Sequence, residues 1–338
     1  MLKLKSLPLL LIFLCALVML TSCSKQNEGN QNTYIKETFA YTNPFTGEGL
    51  NELALRPVCV SIDNQAGARM QSGLNQADLV YEVPAEGGIS RYLAVYFSGE
   101  AAKIGPVRSA RPYLIDIARG WQGVFIHCGG SPDAYSYLKK GVVDSIDEIS
   151  WSKGFWRDKA RKAPHNLYTS TPNLWEQIEK KDYGIQKEIM GFKFDSEAAT
   201  VTGTLAQIVK LPYSGGKISF TYDAATGRYL RSVRDTPYTD NETGERLSAD
   251  NIIIQQVNSK MLDSVGRLEI DLLGSGPAWL IRDGIAQEGI WVRESLDGPA
   301  KYGYDEGNEF TLKPGKTWVE IVDQNVAFEI LAETTEQK

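Results

Sequence analysis

Histidine and cysteine are scarce in this chain. His127 and His165 are the only histidines, and of four cysteines only Cys59 and Cys128 lie beyond position 23. Two cysteines make no disulfide framework; they read as buried thiols, or as a bridge if their strands are neighbours. No His-x-x-x-His or Cys-x-x-Cys spacing occurs, so a zinc site would have to gather ligands from scattered loops, and no metal is assigned. A Gly-x-Ser-x-Gly elbow, a Walker loop and a dinucleotide fingerprint are also missing, which leaves no local signature of catalysis and no expected cofactor. Basic charge is in deficit too. Without Lys3 and Lys5 of the leader, 34 basic residues face 42 acidic ones, a formal charge of −8. That balance argues against nucleic acid as a partner and against broad electrostatic attachment to an anionic membrane.

What is present begins with a leader. Lys3 and Lys5 precede the apolar run Leu7–Leu20, and Leu20-Thr-Ser-Cys23 ends it in small residues. The run is short for a bilayer span and suits a signal peptide over residues 1–22. The tetrapeptide resembles a bacterial lipobox, whose cysteine, here Cys23, is lipidated and becomes the mature N-terminus. Residues 23–43 are polar and read as a tether. The expected location is extracytoplasmic, lipid-anchored to the bacterial cell membrane.

The remaining chain is long for one ordinary domain. Residues 44–198 read as a mixed α/β domain, with strands around Val58, Leu79, Leu93 and Val124 and helices after Pro112, Pro132 and Pro172. Residues 199–332 carry many short strands with closely spaced turns, which predicts a separate, mostly antiparallel β domain and an α+β chain overall.

Unusual chemistry concentrates in Ile104–Pro132. Arg108, Ser109 and Arg111 precede a helix that starts at Pro112, and the strand Val124–His127 turns through Gly129, Gly130 and Ser131 into a second helix, Asp133–Lys140. A strand, a glycine turn and a helix N-terminus can cradle an anion, although the same residues also make an ordinary capped turn. Asp63 and Asn64 end the first strand, where open sheets place ligand crevices. Glu82, Glu86 and Arg91 cluster at the next connection. Trp151–Tyr168 mixes basic and aromatic residues, among them Arg161, and closes on His165 and Asn166. It reads as an anionic-glycan or protein contact, or as a loop anchored by its tryptophans.

These motifs resemble the YerB-type bacterial lipoproteins, a two-domain family of unknown function. The resemblance rests on Arg56-Pro-Val…Ile62-Asp-Asn64, Gln71–Asp78, Glu86-Gly-Gly-Ile-Ser-Arg91, Ile104–Arg111, His127–Pro132 and Pro164-His-Asn-Leu-Tyr168, and more weakly on Phe220-Thr-Tyr-Asp and Pro314–Trp318. It implies a lipid-anchored envelope protein and no established activity.

The residues themselves predict a binding or adaptor protein that takes an anionic wall component, such as a cell-wall glycan, or an envelope protein partner. Its site would draw on Asp63, Asn64, Arg91, Arg108, Ser109, Arg111, His127, Gly129, Gly130, Ser131, Arg161, His165 and Asn166. The alternative is a wall-polymer hydrolase with Asp63, Glu82, Glu86, His127 or His165 as acid and base, which requires the carboxyls to converge within about 5–9.5 Å.

Overall fold

The computed structural model describes residues 39–52, 56–184, 189–195, 201–211, 213 and 217–332. The expected signal peptide, Cys23 and most of the expected tether lie outside the described residues. Val58–Asp63 (β1), Leu79–Pro84 (β2) and Ser90–Tyr96 (β3) are almost wholly buried along their length. Strands of this kind need cover on both faces. The elements that follow are Pro112–Gly120 (α1), Val124–His127 (β4), Pro132–Leu138 (α2), Ser145–Asp147 (β5) and Thr171–Lys180 (α3). Next come Ile208–Leu211 (β6), Ile218–Asp223 (β7), Arg228–Val233 (β8), Asn251–Val257 (β9), Gly274–Arg282 (β10) and Ile285–Arg293 (β11). Lys301–Asp305 (β12), Asn308–Glu309 (β13), Thr317–Asp323 (β14) and Glu329–Leu331 (β15) complete the chain.

The main sheet runs β13-β12-β11-β10-β9-β14-β2-β3-β1-β4-β5. One face packs against α1, whose Leu114, Ile115 and Ala118 meet Cys59, Leu93, Val95 and Phe125. The other face packs against a second sheet built on β8-β7-β6-β15, where Val209, Phe220 and Tyr229 meet Val60, Tyr92, Ile252 and Trp318. Leu174 and Ile178 of α3 join this second core.

Residues 199–332 form an antiparallel sheet of their own, β8-β7-β6-β15, and also add strands to the main sheet. β14 lies parallel to both β9 and β2, with Leu79 opposite Thr317 and Glu82 opposite Glu320. The reason is register: Trp318 falls opposite Val80 in a sheet buried on both sides, so the apolar edge of β2 is closed by the last long strand. Phe39–Lys338 accordingly form one compact unit. Strand is the dominant regular structure among the described residues, with three α-helices among them.

Two boundaries shift. Asn43, assigned to the tether, is fully buried: its side chain donates to Asp78 and Ser98 and accepts from the Phe45 amide. The helix expected at Asp133–Lys140 is α2, which begins at Pro132 and ends at Leu138. Cys59 and Cys128 are free thiols. Burial pushes the Cys59 thiol up to about 12 and that of Cys128 up to about 11.

Candidate anion-binding site

The extended segment Ile104–Arg111 is stitched into three neighbours. Ile104 bridges Thr169, Val107 bridges Ile62, and Ala110 bridges Gly130. The Arg108 amide donates to Ser61 O and the Arg108 carbonyl accepts from the Cys128 amide. These bonds fix the backbone from which Arg108 and Arg111 project, at the C-terminal ends of β1 and β4.

Asp63 is the hub. It is fully buried, and its Oδ2 takes His165 Nδ1 at 2.7 Å and lies 2.9 Å from Arg108 Nε, while Oδ1 accepts from the Gln65 amide. Arg108 Nε is not aligned to donate a hydrogen bond. The Asp63 contact holds His165 through Nδ1 and leaves Nε2 beside Gly67, at a partly exposed edge. A carboxylate–imidazole pair of this geometry can move protons.

Arg91 pairs with Asp63 across the β1–β3 ladder. Its Nη1 donates to Ser109 O at 2.8 Å, its Nη2 lies 3.6 Å from Glu86, and its Nε is buried without a partner. Arg111 grips Glu86 with two nitrogens and donates a third bond to Ala110 O. It also stands at the N-cap of α1, where no side chain caps the helix. Two carboxylates, Asp63 and Glu86, therefore face three guanidiniums at a helix start that itself favours negative charge. Burial pulls the Arg91 pKa below its ordinary value; Tyr113 and Asp63 oppose this, and repulsion from Arg108 adds to it. Burial also lowers the Arg111 pKa, with Tyr113 opposing and Arg267 adding. The buried Tyr113 hydroxyl beside them has no partner. The cluster is short of negative charge.

The glycine turn behaves differently from the anion cradle anticipated for it. Ser131 Oγ accepts from the Ala134 amide, an ordinary N-cap, and the Gly129 amide donates to Asp147 Oδ1 at 2.8 Å. The chain supplies its own anion there. His127 is held by the same turn, with Nδ1 2.8 Å from Gly129 O. A carbonyl only accepts, so the proton is assigned to Nδ1. Burial lowers its pKa, against smaller opposing effects of Asp147 and the Gly129 carbonyl.

Of the residues singled out in the sequence, Asp63, Glu86, Arg91, Arg108, Ser109, Arg111 and His165 meet here. Ser109 contributes its carbonyl. Asn64 is buried and bonded to Glu82 and Ser90, and Asn166 braces the loop carbonyls of Asp158 and Arg161. Arg161 donates to Ala68 O and Met70 O. The hydrolase geometry fails at Glu82. Strand alternation turns it to the opposite face of the sheet, where it is fully buried in an ion pair with Arg231. The basic loop keeps Lys153, Lys159 and Lys162 in solvent while Trp151 donates to Gln177, so the tryptophan is an anchor. Sequence reading passed over Tyr113 and Asp147, which sit in no recognisable motif.

The chain matches the family described as "Protein of unknown function (DUF3048) N-terminal domain" over residues 45–184 and its "C-terminal domain" over residues 209–319. It belongs to this family. A relative in Bacillus subtilis (strain 168), named "Putative lipoprotein YerB", is 32% identical over 317 residues, 91% of this chain and 93% of that protein. The crystal structure of YerB from Bacillus subtilis superposes with a TM-score of 0.77, covering 86% of this chain and 99% of that one. The two matched segments share the continuous main sheet through β2 and β14.

Proposed function

We propose that this lipoprotein-family member is an extracytoplasmic, lipid-anchored envelope protein that holds an anionic group of a wall polymer at the Arg91–Arg108–Arg111 cluster. The observation that carries the reading is the excess of guanidinium over carboxylate at an uncapped helix start, with buried Arg91 Nε and Tyr113 Oη left unpartnered. A planar fork suits phosphate or carboxylate oxygens. Arg108 is the residue to test, because Asp63 is its one ion-pair partner among the described residues.

Co-sedimentation with purified wall sacculi, before and after chemical removal of their phosphate-bearing polymers, checks this. The intact sacculi should retain the protein and the stripped ones should not, and Arg108→Ala should weaken retention by about tenfold or more. Asp63 keeps His165 and the Gln65 amide, so the same substitution should cost only about 1–3 kcal/mol in stability, leaving a folded variant. Equal retention of wild type and variant would sink the proposal. The 2.7 Å Asp63–His165 contact favours a second reading, proton transfer on the bound polymer. It requires soluble fragments released by the wild type and none by His165→Ala.

A further inference from the structure

A cavity of about 430 Å³ opens at the β11–β12 edge of the main sheet, and no residue of the arginine cluster lines it. The size falls in the range of small-molecule sites, about 300–1,000 Å³. Ile290 and Val292 of β11 and Pro299 form apolar walls, and Tyr302 of β12 sits at the back, its hydroxyl donating to Gln255 inside the core. A second cavity of about 260 Å³ shares Pro299 and Tyr302 and runs on to Trp121 and Phe310, which gives the site an aromatic end.

The rim is acidic. Among its carboxylates Asp297 is held by Arg119 and Glu309 lies 3.4 Å from Lys193. Glu294, Asp305 and Glu306 have no ion pair among the described residues, and they face one lysine, Lys301. A β-bulge between Gly303 and Asp305 sets the turn that carries the last two of these carboxylates. The C-terminal end of α1, at Gly120 and Trp121, borders the same region, with Arg293 Nη2 donating to Asp116 O. Apolar walls inside and uncompensated negative charge at the mouth define the occupant by exclusion: an anion is repelled, and a bare cation leaves the walls unfilled.

We infer that this cavity binds an amphipathic organic cation, with an apolar tail directed toward Trp121 and a primary amine at the Glu294–Asp305–Glu306 rim. The site is independent of the arginine cluster. Hexan-1-amine is a suitable probe, titrated by calorimetry into the full mature chain carrying Cys23→Ser. It should bind saturably, with hexanoate at least about tenfold weaker and hexan-1-ol in between. An Asp305→Asn/Glu306→Gln double variant should lose about tenfold for the amine while leaving hexan-1-ol unchanged. Val292→Trp, which fills the cavity, should abolish all three. Arg108→Ala should bind the amine as the wild type does, so failure at the anion site and failure here are separable. No saturable amine binding, equal affinity for hexanoate, or undiminished binding in folded Val292→Trp protein each overturns the inference.

Discussion

Glu82 and Glu320 stand opposite each other across a parallel pair, both fully buried, in a position where like charges repel. Arg231 of β8 reaches between them from the second sheet, with its guanidinium 4.6 Å from the Trp318 ring and 5.0 Å from that of Phe220. Burial, then repulsion from Glu82, pushes the Glu320 carboxyl up to about 8, with Arg231 opposing. Its raised pKa means that the folded protein keeps a proton that the unfolded chain releases near 4.5. That contribution to stability is complete below 4.5 and is lost as pH rises through about 8. Glu320→Gln, which mimics the protonated acid, should therefore gain melting temperature relative to wild type as pH goes from 5 to 9. A difference that stays constant over that range would contradict the assignment. Nothing local in Leu230-Arg231-Ser232 announces this residue. Its partners lie more than eighty positions away in sequence, and an arginine buried for their sake looks like any other arginine in a strand.

At the scale of the element, α1 and α2 open alike in sequence, each with proline at its first turn, but α2 has a serine cap and α1 has none. Ser131→Ala should cost about 0.5–2 kcal/mol, the usual loss of an N-cap, with no change in retention by sacculi. Denaturant unfolding beside the co-sedimentation assay separates the two effects; a loss of binding would restore the glycine turn as part of the site. Elements were legible where the pattern was strong. Val124–His127 matches its predicted bounds, and β1, β2 and β3 contain the expected Val58, Leu79 and Leu93, because fully buried apolar runs leave little choice. Lys301–Asp305 escaped notice, since its tyrosines and glycine alternate without an aliphatic core face. The Arg108–Asp63 and Arg111–Glu86 pairs were visible as residue types, but their mutual distances depend on how Ile104–Arg111 threads between β1 and the Thr169 segment.

On the scale of the whole molecule, the main sheet runs across the boundary suggested by composition near residue 198. β2 has β3 on one side and β14 on the other, so a fragment of residues 44–198 would expose one edge of β2 and the apolar faces that Trp318 and Phe220 cover. Such a fragment should give poorly dispersed amide resonances and aggregate, whereas residues 39–338 should give a dispersed spectrum. A well-dispersed, monomeric fragment would show that the two segments fold separately. Composition and turn spacing report what each stretch prefers locally, and the order of strands in a sheet is not among those preferences.

The pairing of Leu79 with Thr317 also sets a clock. A chain that emerges with its N-terminus first brings β14 out more than two hundred residues after β2. Through that interval β2 has one bare edge and Glu82 lacks its neighbour Glu320, while Arg231 emerges only in the last part of it. The long loop that must close before this contact forms makes the sheet slow to finish as well as late to start. Completion of the N-terminal half is thus timed by the arrival of the C-terminus.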